Sequence, residues 1–506
     1  MAFYRAELSG KTYTEGDGID ITGDVISMES ASTSQFGGIK IDDDTIGINS
    51  NNQIYTRLKQ TITLSDNTSS IAVGSTDTIT VSTDGGGTIS VSSSNNSVAT
   101  ASVSGNEIMI TGVGTGSCVI TVTAGATSTY GGATSTITVT SKVLSVFGVE
   151  WDGSSDPTWT RTDDSADFED PNPYYAGMTE TPSSPFDNIS PWKDIRIVED
   201  ANAGTLVEIP KFYYKWTRSG NAMKLQITSD VTIATENNFY VSPAHTDRGD
   251  GVGERDYVYV GRYHCTSDYK SKTGVVPRDN TSLSTFKSNI RNLGSNIYMY
   301  DYAMWWTVGI LYLVEYANWN ACNKIGVGGG PNDNTLGIMG YTDSMPYHTG
   351  TILTSRSSEG FCTQYRNIEG WWDNVRDWID GLYILQNYPS YYVYMIKNPS
   401  DYYYLNNGTI ITTIAKNYGT IIKWGSNPSR SGFEYAIFPS NTDNNASGYI
   451  CSWYNPPIAD SSNNSYLLSG RGSFFTIYGT RDTNAANQYG ARLMVLPPSR
   501  LSPPSP

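Results

Sequence analysis

The spacing of apolar side chains changes character twice along the chain. Between residues 1 and 58 they fall in short alternating runs, Ile39-Lys40-Ile41, Thr45-Ile46-Gly47-Ile48 and Gln53-Ile54-Tyr55, separated by Asp, Asn and Gly. Alternation bounded by turn residues predicts short strands. Each run has too few apolar residues to close a core within one chain, so this segment is expected to pack against copies of itself. From residue 59 to 142 the period-2 pattern lengthens, as in TITVSTDGGGTISVSSS and EIMITGVGTGSCVITVTA. Turn signals recur between the runs, which predicts a β-sandwich. From residue 143 the chain becomes aromatic and loop-rich. A strand is predicted over Thr205–Trp216 (TLVEIPKFYYKW) and a helix over Tyr302–Ala321.

One stretch, GWWDNVRDWIDG at 370–381, reads two ways. On a helix, Trp371, Trp372, Val375, Trp378 and Ile379 share one side, and Asp373, Asn374, Arg376, Asp377 and Asp380 share the other. Tryptophans gathered on one apolar face point to core rather than to a ligand grip.

Composition narrows the function classes. The net charge of −16 argues against nucleic acid and anionic membrane surfaces as partners. Charged residues are only 16% of the chain while Tyr numbers 36 and Gly 49, a mixture suited to strands, turns and recognition surfaces. The most apolar run, Tyr302 to Val314, is too short to span a bilayer and reads as a buried helix, so no membrane insertion is expected. The N-terminus predicts no secretory signal. Cys118, Cys265, Cys322, Cys362 and Cys451 are odd in number and widely spaced, which predicts reduced, structural thiols.

Residues 33–55, TSQFGGIKIDDDTIGINSNNQIY, resemble the attachment and shaft segments of bacteriophage tail fibres. Val73-Gly74, Asn96-Ser97-Val98-Ala99, Val103 to Gly105, Ile110 to Thr115 and Cys118 to Val122 resemble the bacterial Ig-like repeat of intimin- and invasin-type adhesins. Three motifs follow in fixed order: WWTVGILYLVEYANWNACNKIGVG from Trp305, QYRNIEGWWDNVRDWIDGLYI from Gln364 and NQYGARLMV from Asn487. Together they resemble the C-type-lectin-like domain of phage tail receptor-binding proteins, including targets of diversity-generating retroelements. The resemblance implies extended backbone entering the core at Asn374–Gly381 in place of the helix. The chain departs from the family pattern at Asp373, where a glycine is usual, and at Arg376, where an aromatic is usual.

These resemblances imply a mainly β protein with some α structure. Residues 1–58 would be an oligomerising β segment that attaches to other virion tail proteins and makes a homotrimer. Residues 59–142 would be an Ig-like β-sandwich spacer. Residues 143–506 would be an α+β C-type-lectin-like head that binds a bacterial host surface receptor, glycan or protein. The expected location is the virion tail, after synthesis in the host cytoplasm. A tail-borne glycan hydrolase and a purely structural virion protein are the alternatives.

Binding without catalysis, cofactor or metal is the expectation. Calcium prefers six to eight oxygen ligands, and calcium-binding lectins present them as Glu-Pro-Asn and Trp-Asn-Asp; neither triplet occurs, and Trp372-Asp373-Asn374 is a permuted look-alike. Asp42-Asp43-Asp44 and the acidic loop Asp163, Asp164, Asp167, Glu169 and Asp170 read as solvated turns. His245, His264 and His348 are too scattered for a zinc site. Gly326–Gly330 lacks the Lys-Ser/Thr of a phosphate loop. Aromatics among Asn, Ser and Gly near the C-terminus remain, and Tyr402, Tyr404, Trp453, Tyr454, Tyr478, Arg481, Asn487 and Tyr489 are the candidate receptor contacts.

Overall fold

The computed structural model describes residues 54–154, 156–328, 336–357, 363–387, 390–402, 408–413 and 488–501, with short strands inside 19–48 and 419–481 and the single residue Phe475. The chain divides into two compact units, residues 1–144 and 145–506. Across both it is mainly β, with several sheets and few helices.

In the first unit the earliest runs form three local antiparallel pairs: Ile19–Thr22 with Val25–Met28, Gln35–Phe36 with Ile39–Lys40, and Ile46–Ile48 with Ile54–Thr56. Asp42-Asp43-Asp44 lies outside the described residues. Two four-stranded sheets follow. One runs Ile89–Ser93, Gly116–Ala124, Ala133–Lys142, Thr68–Ala72, and the other Ala99–Ser104, Glu107–Gly112, Thr76–Thr83, Ile62–Leu64. Period-2 patterning decides what each strand buries. In Glu107–Gly112, Ile108 and Ile110 are buried while Glu107 and Met109 face out. Those two join Ile79, Val81, Ile120, Val122, Ile137 and Val139 in one core. Cys118 is a buried, free member of the same core. The Ser104–Glu107 hairpin closes with Gly105 at φ +59°, a conformation that costs glycine little.

The second unit is built around a helix. Four short helices occur among its described residues: α1 Val231–Glu236, α2 Leu283–Arg291, α3 Tyr302–Tyr316 and α4 Ala321–Lys324. Every residue of α3 is buried, as its nearly unbroken apolar sequence requires. Asp301 caps its first turn by accepting from Met304 N at 2.8 Å. The helix stops earlier than the predicted Ala321, because Ala317 takes a left-handed conformation at φ +47°. The Asn318 side chain then accepts from Asn320 N, and the Asn320 side chain caps α4. Asparagine readily makes such local caps, which here outcompete a longer helix.

The strands Phe147–Trp151, Ala222–Thr228 and Arg376–Asn387 lie against this helix. Arg196–Asp200, Gly204–Pro210, Tyr257–Gly261, Leu493–Val495 and Ile297–Met299 form a five-stranded sheet, into which the third motif inserts a strand from the end of the chain. The predicted strand Thr205–Trp216 is two strands in different sheets. Gly204–Pro210 ends at a proline that cannot donate to a ladder, and Tyr213–Ser219 pairs elsewhere with Ala222–Thr228. The largest sheet centres on Arg376–Asn387, so the second half of GWWDNVRDWIDG is extended rather than helical.

Candidate binding site

The three motifs spend their side chains on one buried scaffold. Trp371, Trp372, Val375, Trp378 and Ile379 are all buried, and Trp305, Trp306 and Trp319 are fully so. Trp372 Nε1 donates to Gly326 O at 3.1 Å, which ties the second motif to the end of the first. Trp378 Nε1 donates to Thr281 O at 3.1 Å.

The polar residues of the same stretch, which share the other side of a helical wheel, are buried as well: Asp373, Asn374, Asp377 and Asp380. Each has a partner from elsewhere in the chain. Asn374 exchanges hydrogen bonds with Gly337. Asp377 accepts from His264 Nδ1 at 3.0 Å and pairs with Arg492 of the third motif at 3.5 Å. Lys287 pairs with Asp380 at 2.8 Å. Asp373 Oδ2 accepts from Thr363 N and Oγ1 at 2.8 and 2.6 Å. Burial nonetheless pushes the Asp373 carboxyl up to about 7, with nearby Glu369 adding to the effect. Long-range pairing of this kind leaves no mark on a local periodicity.

The adjacent His264 and Cys265 are not a nucleophile and its base. Burial pushes the Cys265 thiol far above its ordinary range, and the His264 imidazole is turned to Asp377. His245 is fully buried and held between Ser242 Oγ and Ile209 O, and burial drives its pKa down to about 3. Cys322 is buried, whereas Cys362 and Cys451 lie outside the described residues.

The acidic loop is a turn with Asp163, Asp167, Glu169 and Asp170 exposed, and several of its carboxylates find partners. Asp164 accepts from Ser145 N and Val146 N, Asp163 pairs with Lys224, and Asp170 pairs with Lys324 and Arg161. Among the described residues no group of three or more His, Cys, Asp or Glu side chains is placed to hold a metal ion, and no helix is long and apolar enough to cross a membrane.

The candidate receptor contacts separate into two sets. Tyr402 is a correction: it is only 3% exposed. Its hydroxyl donates to Asp301 Oδ2 and accepts from Arg248 Nη2, each at 2.5 Å, and burial pushes its pKa well up. A phenol so placed helps anchor the start of α3 and cannot meet a receptor. Tyr489 is half-buried and packs edge-on against Trp378 at 5.6 Å, in a strand parallel to Arg376–Asn387. It too serves the scaffold. Trp453 and Tyr454 lie in the strand Ser452–Tyr454, and Tyr478 and Arg481 in Ile477–Arg481. These strands pair in parallel, with Tyr454 opposite Tyr478, so the fold does bring those positions together. Tyr404 and Asn487 lie outside the described residues.

A polar cleft that the sequence did not single out lies beside the scaffold. The hairpin joining Thr363–Tyr365 to Ile368–Glu369 turns on Arg366 and Asn367, at φ +43° and +69°. Arg366 reaches inward to Glu315 of α3, Nη2 to Oε1 at 2.5 Å and Nε to Oε2 at 3.1 Å. Tyr365 and Ser184 also donate to Glu315. On its other side Arg366 Nη1 lies 3.0 Å from Asp187, which also accepts from His348 Nε2 at 2.9 Å, Tyr347 Oη at 2.6 Å and Ser184 N at 3.0 Å. Burial opposes ionisation of Asp187, but His348, Arg366 and Tyr347 outweigh it and hold the pKa at about 2. Thr349 Oγ1 accepts from Arg366 N and lies 2.8 Å from His348 Nδ1. Hydroxyl, imidazole and carboxylate are thus ordered as in a nucleophilic triad. Thr349 is fully buried, however, so its oxygen cannot reach a substrate. The only sequence signal for this cleft was His348, one of three scattered histidines.

No family model matches the chain, and no curated protein matches it. A solved structure described as "Chimeric titin Z1Z2 functionalized with a KLER exogenous peptide from decorin" is similar over 40% of this chain and 90% of that one, at 13% identity and a TM-score of 0.16. So low a score carries no argument about either unit, and the fold class rests on the mainly β architecture itself.

Proposed function

We propose that this protein is a phage tail fibre or tail-tip receptor-binding protein that attaches the virion to a bacterial surface and acts by binding alone. Residues 1–58 would join it to other tail proteins and form a homotrimer, residues 59–142 would be an Ig-like spacer, and residues 143–506 a C-type-lectin-like head. The observation that carries the reading is that all three lectin-like motifs converge on one buried scaffold, through Trp372 to Gly326, Arg366 to Glu315 and Arg492 to Asp377. The strands bearing Trp453, Tyr454, Tyr478 and Arg481 belong to the sheet centred on Arg376–Asn387. A packed frame that carries aromatic positions on its strands suits recognition, because contact residues on such a frame can change without loss of the core.

The test is adsorption of the purified, labelled full chain to a panel of bacterial strains, with light scattering in parallel. Saturable binding to some strains by a trimeric protein is the expected result, unchanged by chelation because the usual calcium-binding triplets are absent. Failure to bind any strain would favour a purely structural virion protein. Release of new reducing ends from purified host polysaccharide would favour a glycan hydrolase.

A further inference from the structure

The cleft beside Arg366 has the makings of a ligand site separate from the strands proposed to meet the receptor. We infer that it is a subsite for one neutral, hydroxyl-rich ring, a monosaccharide either free or at the end of a glycan. The inference stands on the cleft's own geometry and does not need the phage reading.

Size comes first. The open space is about 210 Å³, enough for about seven waters at roughly 30 Å³ each. That suits a single sugar ring and is well below the roughly 300–1,000 Å³ of sites for larger ligands.

Charge comes next. The guanidinium of Arg366 is neutralised from both sides, by Glu315 at 2.5 Å and Asp187 at 3.0 Å. Asp187 accepts hydrogen bonds from His348, Tyr347 and Ser184 besides its ion pair with Arg366. Neither ion is therefore left to seek a charged ligand. They instead fix Tyr347, His348 and the Arg366–Asn367 turn in place around the space.

The groups left over are of mixed kind. The Asn367 side-chain amide lines the cleft and makes no hydrogen bond among the described residues. It offers an acceptor and donors together. Lys193 lines the same space and is exposed. Tyr347 Oη donates to Asp187 and keeps a lone pair to accept with. Hydroxyl groups both donate and accept, so a polyol satisfies this set where a carboxylate or an ammonium would leave half of it unmet. Trp192 lies buried beneath the cleft, and the partly exposed Ile195 and Tyr347 supply apolar surface that can meet the C–H face of a sugar ring.

Arg366 and Asn367 both take positive φ, as the two-residue hairpin they close requires. The two ion pairs of Arg366 hold this turn, and the turn sets Asn367 at the cleft.

The experiment titrates the full-length protein with D-glucose, D-galactose, D-mannose, L-rhamnose and N-acetyl-D-glucosamine, each free and as its methyl glycoside, by ligand-observed NMR. Glucuronic acid and glucosamine serve as charged counterparts. At least one neutral sugar is expected to bind saturably and more tightly than either charged one. Preference for the methyl glycoside would identify a glycan terminus as the source, and preference for the reducing sugar a free monosaccharide. Asn367→Gly keeps the left-handed turn and removes only the amide, and Lys193→Ala removes the ammonium. Each should weaken binding about tenfold with no change in melting temperature. Binding of none of the five sugars, preference for a charged one, or full affinity in both variants overturns the inference. Strain adsorption is measured separately, so loss of the sugar with retained adsorption, or the reverse, tells which of the two readings has failed.

Discussion

Arg366 Nη2 lies 2.5 Å from Glu315 Oε1, and both side chains are almost entirely withdrawn from solvent. The pair joins the hairpin of the second motif to the central helix of the first. Removing one partner leaves a buried charge uncompensated, which typically costs about 3–5 kcal/mol. Arg366→Met should therefore lower unfolding free energy by about that much. The double variant with Glu315→Gln should recover part of the loss, since the orphaned charge is gone. Denaturant unfolding of the four proteins closes the cycle. A single-variant cost below about 1 kcal/mol, the range of an exposed pair, would show that the ions are not buried as described.

Trp378 is fully buried and donates to Thr281 O. Truncating a large buried aromatic costs about 3–5 kcal/mol, so Trp378→Ala should destabilise the second unit by that order. If the variant melts like the parent but no longer binds cells, Trp378 belongs to the ligand surface instead of the core.

What could be read from the chain follows from the range of each interaction. The strands of the two four-stranded sheets were legible because alternation decides which side chains of a strand are buried, and Ile108 and Ile110 obey it. The α3 run was legible as a buried helix because an unbroken apolar stretch has nowhere else to go. Periodicity alone put Asp373, Asp377 and Asp380 on a polar face. Their partners Thr363, His264, Arg492 and Lys287 come from other segments, three of them far along the chain. Tyr402 was misplaced for the same reason, since its partners Arg248 and Asp301 are 154 and 101 residues away. The cleft was invisible because Asp187, His348 and Arg366 meet only through the fold.

Asp373 gives the fold a pH dependence of defined sign. Its folded pKa of about 7 lies above the ordinary 3.8. Between those values the folded chain keeps a proton that the unfolded chain releases, so stability falls as pH rises through the window and levels off above it. Asp187 works the other way, but only in acid. Held at about 2, it stabilises the fold above 3.8 and loses that contribution as pH falls. Buried His245, held at about 3, adds a slope of opposite sign below its ordinary 6.5, so the Asp373 contribution is read as the difference between the parent and Asp373→Asn, up to about 1.4 kcal/mol per pH unit. Asp373→Asn, uncharged throughout, should show stability rising more steeply with pH than the parent from about pH 5 to about pH 7. An unaltered slope in the variant contradicts the assignment.

The proposed receptor surface reduces to a sharper set once Tyr402 and Tyr489 are assigned to the scaffold. Tyr454 and Tyr478 are register partners on parallel strands, as are Trp453 and Ile477, and Arg481 lies farther along the same strand as Tyr478. Affinity at recognition surfaces concentrates in a few aromatic and arginine anchors, each worth about 2 kcal/mol or more on truncation. The paired variants Trp453→Ala with Tyr454→Ala, and Tyr478→Ala with Arg481→Ala, should each weaken cell binding by more than about thirtyfold. Melting temperature and oligomeric state should stay those of the parent. Tyr402→Phe is the matching control: it removes a buried hydroxyl, at a cost of about 1–3 kcal/mol in stability, and should leave affinity at low temperature unchanged. If both paired variants bind normally, or lose binding only where they unfold, these strands are scaffold too and the receptor is met elsewhere.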